Sequence, residues 1–479
     1  MNAMSLSTNR FRKRNHNGEL MEVEQPEKLR SVESNAPIKL TELNEECLMH
    51  IMGLLNLDAL SVVAQVNMRL NQLVYNFLEE KYDVSKVSLF TSDQAQWLWL
   101  GGTTGKFIFK DLSDVTKFFR KTGDLITCLS ISCSPHSSLY HMYQMVEKSI
   151  FEHCYETLTK IEIASNLLPV LSEVTKVFYN VEELYLHGCE LSENLSQQFD
   201  IYFPSLVRLT LIDCKTRDPK CIETQFACLE ELTVVGKRKN RMVFKKTNIK
   251  EAIRRNPQLR RLVVDFNSTN DREAASNDSD YELDSDFYRF VSEALPKLKS
   301  LKVFGERKHQ VDPTEDDIEF WRLKKLSLHY IYSQDPSAIA PFKFNRLREL
   351  KLQHMTTLSD EWVQFIIRND CLEKLTVDIK CSWEDENEES HRIHSQIEKE
   401  QLLTIVKWLP KLEELHLSAG AVDTKDIMAI LPKRKSLMKI YLRDYNEIDS
   451  IVDTFDKLTA KKKWLVDYDA QNLILKRFA

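Results

Sequence analysis

The sequence predicts an α/β solenoid, a stack of short parallel strands in which each strand returns to the next across one side. Two observations carry that prediction. The stretch Leu206–Cys214, LVRLTLIDC, places apolar residues at Leu206, Leu209 and Leu211. On a strand, Leu209 and Leu211 face one side while Arg208, Thr210 and Ile212 face the other. The same spacing begins again at Leu158, Val181, Leu206, Leu229, Leu259, Leu298, Leu323, Leu347, Leu372, Leu412 and Leu437. Successive starts differ by 23, 25, 23, 30, 39, 25, 24, 25, 40 and 25 residues. Eight of those ten gaps lie between 23 and 30, a regularity that chance does not produce in a chain with 43% hydrophobic residues. One such strand cannot bury its leucines alone and needs like neighbours stacked on it.

The spacing L-x-x-L-x-L, with Cys214 at the ninth place, is that of a leucine-rich repeat. It predicts a horseshoe over 158–463, with a parallel concave sheet and a helical convex face. Pro257, Pro296 and Pro410 each stand two residues before the next Leu, where a helix has ended and a strand begins. The ninth-place Asn or Cys recurs as Asn166, Cys189, Cys214 and Asn267, and is replaced by Lys237, Glu306 and Ile331. The two long gaps hold acidic insertions near 267–290 and 381–400, which read as solvated loops. The segment from Lys237 to Arg261 is the reverse, with eleven Lys or Arg against Glu251 alone. It suits either an acidic or phosphorylated ligand or the acidic insertion that follows it.

The ends of the array are expected to differ from its middle. Atypical N-terminal capping repeats are expected over 86–157, with an imperfect first strand around Val84, Val87 and Leu89 at its start and a better one at Ile126, Leu129 and Ile131. Trp97, Trp99, Phe107, Phe109, Phe118 and Phe119 supply their core. Residues 464–479 alternate as two C-terminal capping strands that would cover the last open edge. The third place of each repeat from Val181 onward reads Glu183, Arg208, Glu231, Arg261, Ser300, Lys325, Glu349, Lys374, Glu414, Lys439. Every adjacent charged pair is opposite in sign, which predicts a charge ladder across stacked strands.

The remaining composition bounds the function. The formal charge is −6 with 29% charged residues, so a general nucleic-acid binder is not indicated. No apolar run approaches a membrane span, and no secretory h-region is present, so a cytoplasmic or nuclear protein is expected. The ten cysteines form no C-x-x-C pair and read as reduced, buried thiols, with Cys189 and Cys214 pointing inward. Residues 1–37 read as a disordered leader.

From Ile38 to Ser85 the pattern changes to three short helices. Leu43 stands just before Asn44, a predicted N-cap, and Cys47, Leu48, Ile51, Leu54 and Leu55 follow it; Leu60, Val62, Val63 and Val66 form a second apolar run; Asn67 opens a third. The run LTELNEECLMHIMGLLNLDALSVVAQVNMRLNQL resembles an F-box, matching at Leu43, Glu46, Leu48, Ile51, Leu54, Asp58, Leu60, Val66 and Arg69. It departs at Asn44 for the usual Pro, Asn67 for Cys and Leu70 for Trp. Followed by leucine-rich repeats, the chain resembles an F-box/leucine-rich-repeat protein. The resemblance implies a non-catalytic substrate receptor of a Skp–cullin–F-box ubiquitin ligase. It would dock on the Skp adaptor, and through it cullin, by Leu43, Asn44, Leu48, Ile51, Leu54, Leu60 and Val66. The repeats would hold a protein target. Tyr185, His187, Phe304, His329, Tyr441 and Arg443 are the candidates for that contact, because aromatics and Arg dominate interface hot spots. The alternative is a leucine-rich-repeat scaffold or inhibitor whose helical N-terminus only caps the solenoid.

No catalytic, metal or cofactor site is read from the sequence. Gly101-Gly-Thr-Thr-Gly105-Lys106 has one residue too few between its glycines for a phosphate loop, and Phe107 replaces the magnesium-holding hydroxyl. Cys381, His391 and His394 lack a fourth ligand for zinc.

Overall fold

A computed structural model describes residues 40–55, 57–82, 85–91, 97–101, 105–109, 112–132, 140–164, 169–171, 176–216, 218, 220–236, 244–265, 285–304, 318–329, 342–355, 357–379, 397–418, 426–427, 430, 436–443, 464–468 and 472–477. Contacts divide the chain into two compact units, residues 1–55 and 56–479. In the first, a turn at Leu40–Glu42 leads into helix α1, Glu45–Met52. Asn44 caps it as the sequence predicts, with its Oδ1 accepting from Cys47 N at 2.8 Å. The second unit begins with α2, Leu57–Ala64, and α3, Met68–Tyr82, which pack on one another. Asn67 caps α3 by the same device, accepting from Leu70 N at 2.8 Å.

After α3 the predicted solenoid begins. The main sheet has 17 strands. Its parallel run consists of Lys86–Thr91, Cys128–Ser132, Lys160–Ala164, Glu183–His187, Arg208–Ile212, Glu231–Val235, Arg261–Asp265, Ser300–Phe304, Lys325–His329, Glu349–Met355, Lys374–Ile379, Glu414–Ser418 and Lys439–Arg443, each hydrogen-bonded to the next in chain order. The fourth place of every repeat falls in one column. It runs Val87, Leu129, Ile161, Leu184, Leu209, Leu232, Leu262, Leu301, Leu326, Leu350, Leu375, Leu415 and Ile440, and all of them are buried. Each such side chain contributes about 1.5–3 kcal/mol by leaving water, and in a stack it is covered only if its neighbours keep register.

The sheet ends in an antiparallel hairpin on both sides, whereas the sequence predicts such strands at the C-terminal end alone. At one end Trp97–Gly101 pairs antiparallel with Lys86–Thr91, and Gly105–Phe109 pairs with Trp97–Gly101. At the other, Asn472–Arg477 lies antiparallel on Lys439–Arg443, and Trp464–Tyr468 lies outside it. Capping by antiparallel hairpins removes the unpaired N–H and C=O groups that a last parallel strand would expose.

The returning side is only partly the helical layer that the sequence predicts. Helices Lys246–Arg255, Ser285–Ala294, Asp360–Ile367 and Lys399–Trp408 are there. Between Ser300–Phe304 and Glu349–Met355, however, the described returns are the two-residue strands Ile318–Glu319 and Phe342–Lys343, paired in parallel. The connecting sequence carries Pro313, Pro336 and Pro341, which cannot supply helical N–H donors. Aromatic bulk fills the space instead: Phe320 stacks on Phe344 at 5.4 Å, and Phe342 meets both Phe320 and Tyr288. A second aromatic file, Phe151, Phe178, Phe203, Phe199 and Phe226, lies behind the earlier strands with ring centroids 5.1–6.2 Å apart. The acidic insertions are also shorter than expected. Residues from Ser285 are helical with Phe287 and Tyr288 buried, and Ile397 is buried ahead of Lys399.

Asn256 and the ninth-place cysteines tie repeat to repeat. Asn256, fully buried at a helix end, donates to Thr224 O and Ala252 O and accepts from Phe226 N. Cys189 and Cys214 point inward, as predicted, and their thiols donate to the carbonyls of Ile163 and Leu186 in the preceding strands. Among the described residues no cysteine forms a disulfide, and Cys47 and Cys228 are exposed rather than buried.

The third-place charges align in the predicted column. Strand register sets Lys160, Glu183, Arg208, Glu231, Arg261, Ser300, Lys325, Glu349, Lys374, Glu414 and Lys439 side by side. Glu183 pairs with Arg208, Glu231 with Arg261 at 3.4 Å and Glu349 with Lys325 at 2.9 Å. Two rungs differ from expectation: Arg208 and Glu231 turn to their other neighbours, Glu183 and Arg261, and Lys374 turns to Glu414 at 3.0 Å while Glu349 takes Lys351 as its second cation at 3.0 Å. Burial pushes the Glu414 carboxyl up, but hydrogen bonds from Lys439 and Lys374 outweigh it and bring it to about 2.

Glu414 therefore stays charged in the folded protein down to about pH 2, whereas an ordinary carboxyl takes up its proton near 4.5. Its contribution is complete above that ordinary value and is lost as pH falls toward 2. Glu414→Gln should lower Tm near neutral pH, and the deficit should shrink in acid and in added salt. Melting curves of both proteins across the acid range check this; a deficit independent of pH would rule the ladder out as its cause.

Candidate functional site

With the first leucine of each repeat as position 1, positions 3, 5 and 7 lie on the sheet face opposite the buried leucines. All six predicted target contacts occupy positions 5 or 7 of that face. The sheet does not bring them together. Tyr185 and His187 share one strand, Phe304 and His329 sit on adjacent strands four steps further along, and Tyr441 and Arg443 sit four steps beyond. At about 4.8 Å per step, each group is roughly 19 Å from the next.

Each group has its own chemistry. Burial raises the Tyr185 phenol above its ordinary range, with Glu162 adding to the effect. His187 Nε2 lies 3.7 Å from Asp213 Oδ2, and Asp213 is buried in a turn at φ 53°, a left-handed conformation that Asp tolerates. The Phe304 ring lies 4.2 Å from His329 and carries the Lys302 ammonium 4.5 Å above it. His329 corrects the expectation of a solvent-facing contact, because only 7% of it is exposed. It is held between Phe304 and His354, with Ser327 Oγ 3.1 Å from its Nε2. Tyr441 is half-buried and stacks flat on His416, 4.1 Å away with 5° between the rings. The Arg443 backbone pairs with Ser418 and Asn472, while its side chain lies outside the described residues.

Sequence reasoning missed Lys302 and His416. Both occupy position 5, the place of Tyr185 and Tyr441, and position 5 read across the repeats contains them. Among the described residues no group of His, Cys, Asp and Glu could hold a metal; Cys381, His391 and His394 lie outside them. Gly101 and Gly105 face each other across the antiparallel hairpin, so the glycine-rich run joins two strands rather than a strand and a helix. Desolvation pushes the Cys154 and Cys221 thiols up, the opposite of what activates a nucleophile.

The predicted adaptor contacts divide by burial. Leu48 and Leu60 are buried, which corrects their assignment as presented contacts; they are core side chains. Leu43 and Ile51 are half-buried, Asn44 is exposed and occupied in capping, and Leu54 and Val66 are 79% and 59% exposed. Val62 and Met68, which the resemblance does not single out, are exposed beside Val66 at the α2–α3 corner. The departures at Asn44 and Asn67 are the two N-caps, so each local change brings a helix start of its own.

No family model matches the chain, and no curated protein matches it. Solved structures do match. One of these, a crystal structure of a TLR13–ssRNA13 complex, aligns at 12% identity with a TM-score of 0.26, over 62% of this chain and 53% of that one. The alignment thus covers about half the length of that protein. No helix among the described residues is long and apolar enough to cross a membrane.

The burial division is testable. Leu48→Asp places a carboxylate where the side chain is 1% exposed, at a cost of several kcal/mol. Leu54→Asp and Val66→Asp each change an exposed side chain, and the cost should stay within about 0.5 kcal/mol. Chemical denaturation of the three variants should separate them in that order.

Proposed function

We propose that the chain is a substrate-recognition subunit of a Skp–cullin–F-box ubiquitin ligase. The observation that carries this reading is the unpartnered apolar surface on the helices that precede the repeats. Val62, Val66 and Met68, at the α2–α3 corner of the second unit, are each more than half exposed, and so, within the first unit, is Leu54. Exposed apolar clusters on soluble proteins mark interaction sites, and Leu54 and Val66 are positions that the F-box resemblance assigns to the adaptor. The chain does no chemistry in this reading. The helices dock on the Skp adaptor, the repeats hold a protein target, and target lysines meet a ubiquitin-charged enzyme at raised effective concentration.

The burial of Leu48, Leu60 and Leu70 favours a second reading, a repeat scaffold whose helices serve as a folded cap. Co-purification with the Skp adaptor separates the two. The full chain should co-elute with the adaptor, and the double variant Leu54→Asp, Val66→Asp should lose it while melting like the parent. Failure of the unmodified chain to bind would leave the scaffold reading.

A further inference from the structure

Position 2 of the repeats forms a column of its own at the N-terminal edge of the strands. Backbone hydrogen bonds set Arg260, Lys299, Lys324 and Arg348 in consecutive register: Lys299 N donates to Arg260 O at 2.8 Å, Lys324 N to Lys299 O at 2.8 Å and Arg348 N to Lys324 O at 2.9 Å. All four side chains are exposed. Neighbouring strands lie about 4.8 Å apart, so four cations stand in a row about 14 Å long. Among the described residues only its ends are paired, Arg260 with Glu230 and Arg348 with Glu373, each at 3.3 Å. Lys299 and Lys324 make no ion pair among the described residues.

Like charges directly opposite one another destabilise a sheet. Position 3, one residue further along each strand, avoids this by alternating sign, and at the one place where Arg261 and Lys325 would meet it inserts Ser300. The position-2 column lacks that device over four repeats. The same repeats add exposed Lys297, Arg322 and Arg346 just before their first leucines. A stacking role does not account for such a column in a chain whose net charge is −6.

We propose that this basic column holds a short acidic peptide segment of the target, a run of Asp or Glu side chains. The proposal rests on the target-holding role above and gives that target its chemistry. Charge complementarity identifies the ligand, and the flanks limit its length. Glu230 precedes the column and Glu373 and Glu413 follow it, so a longer polyanion would run onto carboxylates. A row of about 14 Å spans about four to five residues of extended chain. A nucleic-acid strand lacks that limit and would extend past the ends.

Binding is read by fluorescence anisotropy with the purified full chain and a fluorescein-labelled peptide containing about five consecutive glutamates, a length set by that span. The parent should bind, more weakly as salt rises. The double variant Lys299→Glu, Lys324→Glu should bind at least about tenfold more weakly, a loss of about 1.4 kcal/mol. Lys148→Glu with Lys399→Glu, an equal change of net charge on two exposed helical residues, should bind like the parent. Lys299→Glu alone places a carboxylate between Arg260 and Lys324, so its Tm should hold or rise while affinity falls. Equal affinity of the column variant and the parent, or equal loss in the control, overturns the proposal. Tighter binding of a single-stranded RNA oligonucleotide of equal charge than of the peptide overturns it in favour of a nucleic acid. The assay contains no adaptor, so loss of adaptor binding and loss of peptide binding are separate results.

Discussion

Register between parallel strands is the constraint on which the rest of this structure depends. A single L-x-x-L-x-L segment exposes its leucines on one face and an unpaired edge on either side. Both faults are cured only by an equivalent segment hydrogen-bonded beside it at the same phase. The column from Val87 to Ile440 keeps that phase through thirteen strands, although the connecting segments differ in length and in structure. A slip of one residue in any strand would turn its leucines to the opposite face. The third-place ion pairs reinforce the same register, because a slipped strand would also misalign its charge. Each exposed pair adds only about 0.2–1 kcal/mol, so leucine burial dominates and the charges refine.

The returning side tolerates far more variation because its job is only to cover the leucines. A ten-residue helix does so at Lys246–Arg255, and a two-residue strand backed by phenylalanines does so at Phe342–Lys343. Side-chain volume is what the two solutions share. Phe320, Phe342 and Phe344 fill, edge to face or stacked, the space that a helix would otherwise fill. This explains why the strands were legible in the sequence and the returns were not. The strand pattern is local and repeats at fixed spacing. The return is set by what packs behind the sheet, and a local window records little of it beyond the prolines that disfavour a helix.

The same division governs the candidate sites. Asn44 as a cap, the inward thiols of Cys189 and Cys214, and the alternating third place all follow from local spacing, and all are present. The burial of Leu48, Leu60 and His329 does not, because burial depends on what packs over a side chain and not on its place in the spacing. His329 is the clearest case. Its position on the sheet is that of an exposed side chain, but Phe304 and His354 on the adjacent strands enclose it. Facing away from the leucine core is thus not enough to make a residue available.

Charge shows most plainly what a linear reading loses. Along the chain the conspicuous basic run is 237–261, yet its described arginines are largely occupied: Arg254 and Arg255 bind Glu251, Arg260 binds Glu230 and Arg261 binds Glu231. Those pairs are made within one helix or with the preceding repeat, so these four arginines are neutralised where they fold. Across the chain the position-2 column draws one cation from each of four repeats, spaced 39, 25 and 24 residues apart, and no stretch of sequence shows them together. Stacking at about 4.8 Å converts that separation into adjacency. In a solenoid the composition that a partner meets is therefore the composition of a column, and a local excess of charge along the sequence can vanish while a dispersed one becomes a surface.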